Sequence, residues 1–169
     1  MDLKVTAFAD HLKPMVILAL KTGLRRNELF SLEWKDVLFE QNQIVVKGAK
    51  AKSGKTRHVP LTKKAFKALK SWHVQNPKKK YVFTSPKTGK CFTDCKKAFK
   101  EVLKEADITD FNWHDMRHDF ASQLVMKGVD LSTIQDFMGH SDIKMTQRYA
   151  HLAPEHKQAA VNTLDELAI

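Results

Sequence analysis

The chain has 169 residues, 43% of them hydrophobic and 28% charged, with 29 Lys or Arg against 19 Asp or Glu and a formal charge of +10. That is enough for one domain, spanning 1–169, to bury a core without staples, and the two cysteines, Cys91 and Cys95, have neither disulfide-framework nor zinc-ribbon spacing and read as free thiols of a reducing compartment. Residues 1–10 lack a basic-then-apolar leader and the longest apolar run, Met15 to Leu20, falls short of a membrane span, so the expectation is a soluble cytoplasmic protein with no membrane partner.

In chain order, Pro14, Met15, Ile17, Leu18 and Leu20 predict a buried helix that stops at Gly23. A short second helix is expected over 25–32. Three strands, Val37 to Glu40, Ile44 to Lys47 and Thr56 to Leu61, follow as a small antiparallel sheet. The basic, Gly-containing segment 48–55 between the last two strands reads as a surface turn. Thr62 caps a helix carrying Ala65, Phe66, Leu69 and Trp72, and Thr93 is expected to cap another carrying Phe99, Val102, Leu103 and Ala106. Between them, Tyr81-Val82-Phe83 is an extended piece flanked by turn residues. Helices are predicted from His114 to Lys127, stopping at Gly128, and from Leu131 to Met138, stopping at Gly139. Ser141 or Asp142 opens a further helix, and Pro154 starts a last one with Ala160, Val161, Leu164 and Leu167 on one face. The class is α+β, mainly helical with a three-stranded antiparallel sheet.

Positive charge is segregated. Residues 47–104 hold 18 Lys or Arg against two acids, Asp94 and Glu101, whereas the rest of the chain holds 11 basic against 17 acidic residues. Charge that serves only solubility is usually mixed in sign, so this points to a face that meets phosphates, with nucleic acid as the partner. Lys47, Lys50, Lys55, Arg57, Lys78, Lys79, Lys80, Lys87 and Lys90 are the candidate nucleic-acid contacts.

The chemistry lies mostly in the last third. Tyr149 is a weak nucleophile at neutral pH unless its proton is taken and its target is held by cations. Displacement at a phosphodiester gathers negative charge on the non-bridging oxygens, which planar guanidinium groups match with paired hydrogen bonds. Arg117 lies one turn after His114, so both side chains can reach one phosphate, and Arg25 opens a helix with Glu28 one turn on to orient it. His140 falls at the turn after Gly139. His114 and His118 stand at i, i+4, but a metal reading of that pair wants further ligands at matching spacing and leaves Arg117 and Tyr149 unexplained.

Thr22-Gly23-Leu24-Arg25-x-x-Glu28-Leu29, Lys52-Ser53-Gly54-Lys55-Thr56-Arg57-His58-Val59-Pro60-Leu61, His114-Asp115-Met116-Arg117-His118, Gly139-His140 and Arg148-Tyr149-Ala150-His151-Leu152, in that order, closely resemble the catalytic domain of the tyrosine recombinases, the phage integrase family. The resemblance implies double-stranded DNA as the partner and site-specific recombination without metal, nucleotide or other cofactor, in which Tyr149 attacks the scissile phosphate and forms a 3′-phosphotyrosine. Arg25, Arg117 and His140 would bind the phosphate. Lys52 would be the general acid, with Lys50 and Lys55 as rivals, and His114 would act as base or as a phosphate contact. Glu28 would orient Arg25, and His118 would pack against or brace its helix. Asp119 stands where the family commonly has threonine.

The resemblance also implies a fragment lacking a preceding DNA-clamping domain, of prokaryotic or phage origin. It would be monomeric alone and tetrameric on DNA when full length. A type IB-like topoisomerase and a non-catalytic DNA-binding regulator are the alternatives.

Overall fold

In the computed structural model, the described residues are 11–48, 54–86 and 88–153. Helix α1, Leu12–Thr22, ends at Gly23 in the left-handed conformation, φ 60°, and its inner face buries Met15, Leu18 and Ala19. Gly23 is required twice over: a Cβ there would also meet the Phe120 ring at 2.4 Å, so its bare backbone lets the end of α1 approach the helix that carries Arg117. Helix α2, Arg26–Phe30, is shorter than expected, because Ser31 donates back to the Asn27 carbonyl and the chain turns away.

The sheet is antiparallel in the order β1, Val37–Leu38, β2, Gln43–Val46, and β3, Arg57–Pro60. β1 stops two residues early because Phe39 to Asn42 forms the hairpin turn, with Gln41 and Asn42 N–H groups donating to the Leu38 and Phe39 carbonyls. In β3, Arg57 and Val59 face inward and His58 and Pro60 outward, following the period of two. Helix α3, Lys63–Gln75, starts at Thr62, whose hydroxyl oxygen accepts the Ala65 N–H at 3.2 Å.

Helix α4, Lys96–Glu105, begins later than a Thr93 cap would place it. Residues on either side of Thr93 explain the shift: Cys91 pairs with Thr84 in an isolated bridge, and Asp94 supplies the oxygen that accepts the Lys96 N–H. Cys91 and Cys95 are free thiols. Helix α5, Asp115–Met126, helix α6, Leu131–Met138, and the short α7, Lys144–Gln147, follow, with a 3-10 turn at Ala150–Leu152. The helix expected from Pro154 lies outside the described residues.

Two apolar clusters result. The larger joins α1, α2, the sheet, α3 and α4 through Met15, Leu18, Leu29, Phe30, Ile44, Val59, Leu69, Phe83 and Phe99. The smaller joins α5 and α6 through Ala121, Val125, Ile134 and Met138, and the Tyr149 ring is one of its members. No described helix is long and apolar enough to cross a membrane.

Candidate active site

Helix α6 ends in an arrangement that organises everything near it. The His140 N–H donates to the Gln135 carbonyl and the Gly139 N–H to that of Asp136, with Gly139 left-handed at φ 61°, which is the Schellman closure of a helix end. The next three carbonyls, of Phe137, Met138 and Gly139, remain at the negative pole of the helix. Each accepts from a different guanidinium: Phe137 from Arg57 at 2.9 Å, Met138 from Arg117, and Gly139 from Arg25 at 2.8 Å.

Arg25 precedes α2, and Glu28 reaches back to it, accepting the Arg25 backbone N–H at 2.8 Å and its Nη1 at 3.1 Å. The same carboxylate receives a fork from Arg57, Nη1 at 3.1 Å and Nη2 at 2.7 Å. Burial pushes the Glu28 carboxyl up, but the hydrogen bonds and charges of Arg57 and Arg25 outweigh it and hold the group below the usual range. Arg117, on α5 and only 4% exposed, also donates to the Gly23 carbonyl at the end of α1. Burial, then the charge of Arg25, pulls its pKa down to about 9, so it stays cationic at neutral pH.

His140 is held through Nδ1 by the fully buried Thr146 hydroxyl at 2.9 Å. Burial, then the charges of Arg117, Arg25 and Arg57, pulls its pKa down to about 4, so the ring is neutral at pH 7. Tyr149 is 6% exposed, and its hydroxyl lies 2.5 Å from Nδ1 of His118, one turn after His114 on α5. Burial raises the Tyr149 pKa against the opposing charges of Arg148 and Arg117. The His114 and His118 rings meet edge to face at 4.7 Å, and both titrate below the ordinary histidine value, chiefly through burial. Among the described residues no three or more His, Cys, Asp or Glu gather as metal ligands would.

The structure thus brings Arg25, Glu28, Arg117 and the backbone leading into His140 to one spot, with Tyr149 on the next turn of chain and fastened to α5. His118 was expected to brace the helix and instead touches the Tyr149 hydroxyl. Thr146, absent from the sequence reading, holds His140.

Arg57 departs most from expectation. It was assigned to DNA contact, yet it is 9% exposed and all three of its nitrogens are engaged inside the protein. Of the other basic candidates, Lys47 pairs with Asp36 at 2.6 Å, and Lys55, Lys78, Lys79, Lys80 and Lys90 are exposed. Lys50, Lys52 and Lys87 lie outside the described residues.

The chain belongs to the phage integrase family, whose model matches residues 4–156. It is 34% identical over 168 residues to the integrase of Salmonella phage P22, covering 94% of this chain and 43% of that protein. It is 32% identical over 164 residues to tyrosine recombinase XerA of Pyrococcus horikoshii, covering 94% of this chain and 57% of that one. The chain therefore spans about half the length of these curated relatives.

Among solved structures, the catalytic domain of bacteriophage HP1 integrase superposes with a TM-score of 0.68 at 29% identity, covering 92% of this chain and 87% of that one. The Tn1549 transposon integrase in complex with circular intermediate DNA superposes with a TM-score of 0.76 at 25% identity, covering 98% and 62%. The mainly helical fold with its three-stranded antiparallel sheet is the tyrosine recombinase catalytic fold.

Proposed function

We propose that this chain is the catalytic part of a site-specific DNA recombinase or integrase that cuts and rejoins strands through a 3′-phosphotyrosine. The observation that carries the reading is the pairing of two arginines on the carbonyl end of α6, next to His140, with a tyrosine hydroxyl held by a histidine of the same helix that supplies Arg117.

In this mechanism the Tyr149 oxygen attacks the scissile phosphorus, the bond to the 5′-oxygen breaks, and the departing oxygen takes a proton. Arg25 and Arg117 face the equatorial oxygens, where charge accumulates. In the tautomer that this role requires, His140 Nδ1 accepts from the Thr146 hydroxyl and the neutral ring carries its proton on Nε2 as a further donor. His118 accepts the Tyr149 proton, a role its 2.5 Å contact supports, whereas for His114 the resemblance leaves base and phosphate contact open. His114, beside Arg117 on α5, is left as a phosphate contact. Lys52 is the proposed general acid. The covalent intermediate conserves the energy of the broken bond, so religation is the reverse attack and consumes no nucleotide.

The substrate is double-stranded DNA, gripped by Lys55, Lys78 to Lys80 and Lys90 together with Lys50 and Lys87, and the Tn1549 integrase, solved in complex with circular intermediate DNA, supports DNA as the ligand. On DNA the full-length protein acts as a tetramer in the bacterial or archaeal cytoplasm, and the 169-residue chain alone is a monomer that binds with little sequence preference.

A pool of duplexes nicked near random sequence, so that cleavage releases a short 5′-hydroxyl fragment, tests the reading. The chain forms a detergent-resistant adduct with the pool and Tyr149→Phe does not; an adduct of equal yield in the variant would refute the assignment.

A further inference from the structure

We propose that Arg57 is a positioning residue of the cleavage site, a buried clamp that holds Glu28 beneath Arg25 and fixes the turn leading into His140. The inference rests on the strand-cleavage reading above for its rate effect, but the contact pattern stands without it.

Strand alternation sends Arg57 inward beside Val59, and across the sheet it lies opposite Val46. Two of its nitrogens form a fork on the Glu28 carboxylate and the third donates to the Phe137 carbonyl, so one planar group ties β3 to α2 and to the end of α6. The fit is close on the far side as well: a Cβ on Gly139 would stand 2.9 Å from Arg57 Nη1 and 3.0 Å from its Cζ, so the guanidinium lies flat against the bare backbone of the turn before His140. Both of its η nitrogens already bind the Glu28 carboxylate, so the fork that a phosphate would use is filled by an acid of the protein itself.

Its electrostatic effect is to leave Arg25 available. Glu28 binds both arginines; without Arg57 the whole carboxylate charge would face Arg25, drawing it from the Gly139 carbonyl and neutralising the cation that the phosphate needs. With Arg57 in place, three guanidiniums stand against one carboxylate and the pocket keeps an excess of positive charge. Burial and the charges of Arg117 and Arg25 are the larger causes of the neutral state of His140, and Arg57 adds to them.

The test uses Arg57→Gln and Arg57→Lys, with adduct formation on the pooled nicked duplexes, salt-dependent binding to a plain 30-base-pair duplex, and titration of His140 by NMR. Misplacement of a reacting group by about 1 Å can cost ~10²-fold, and a loss of that order is expected in the rate at saturating DNA for Arg57→Gln. Arg57→Lys, which keeps the charge but loses the fork and is the variant to use if the other does not fold, is expected to lose about 10-fold. In both, the slope of log affinity against log salt stays at the wild-type value, and in Arg57→Gln the His140 titration moves up.

A slope shallower by about 0.9 would mean that Arg57 meets a phosphate directly and would overturn the proposal, as would a wild-type rate in Arg57→Lys. Combining Arg57→Gln with Glu28→Gln should cost no more than the worse single change, and full additivity would also overturn it. If the wild-type chain forms no adduct at all, the cleavage reading fails while the salt slope and the His140 titration still decide where Arg57 points.

Discussion

Replacing His118 by Ala removes the partner of the Tyr149 hydroxyl, 2.5 Å away, in a residue that is 6% exposed. A buried hydroxyl stripped of its partner costs about 1–3 kcal/mol. If the contact strengthens by a similar amount as the proton moves toward Nδ1 during attack, that gain is what the variant loses from the barrier, and at about 1.4 kcal/mol per tenfold adduct formation slows by about 5-fold to about 150-fold. The pH dependence has a definite sign. His118 titrates below its ordinary value because burial and the neighbouring His114 disfavour the cation, so the ring is neutral at pH 7 and, in the tautomer that attack requires, Nδ1 accepts from the hydroxyl. As the pH falls through that lowered pKa, Nδ1 gains a proton, becomes a donor, and the wild-type rate drops. Single-turnover adduct formation between pH 5 and 8.5 measures both effects, and His118→Ala should be slow and flatter over the acid side. A His118→Ala enzyme as fast as wild type, or faster, would refute the reasoning, because the contact would then merely restrain the nucleophile.

Two further outcomes are expected. Arg117→Ala should lower the cleavage rate by at least ~10²-fold, the scale of losing one transition-state donor, and a rate within a few-fold of wild type in the same adduct assay would exclude it from phosphate binding. His140, held neutral with its pKa at about 4, makes the folded state bind fewer protons than the unfolded chain between that value and the ordinary histidine pKa near 6.5. Stability should therefore fall as the pH drops from about 6.5 toward about 4, with a weaker fall in His140→Gln, which thermal unfolding across that window would show.

Much of this was legible in the residues. The bounds expected for helix α6 agree with the structure: Gly139 is the stop signal and takes the left-handed conformation, and at the other end Asp130, absent from the sequence reading, accepts the Thr133 N–H. Of the residues that the ordered motifs single out, the structure carries Arg25, Glu28, Arg117, His118 and Tyr149 to the surroundings of the α6 end, and Lys52 lies outside the described residues. What escaped depended on direction and distance. Arg57 was counted with the surface lysines for its charge, although its parity with Val59 already placed it on the inner face of β3. His118 shares a helix with His114 and Arg117, and only the return of the chain after α7 decides that its ring, and not that of His114, meets Tyr149. Thr146 looked like an ordinary helix residue, because its contact with His140 closes across a turn with no marker in composition. The Thr93 cap failed for a local reason, since Asp94 is the better acceptor one residue closer to the helix.

The central claim is that the oxygen of residue 149 becomes bonded to DNA phosphorus. Digesting the trapped adduct with protease and nuclease and sequencing the modified peptide by mass spectrometry tests it directly. The account expects a nucleotide joined through its 3′-phosphate to Tyr149, and a nucleotide on any other side chain, or a 5′ linkage, would contradict it.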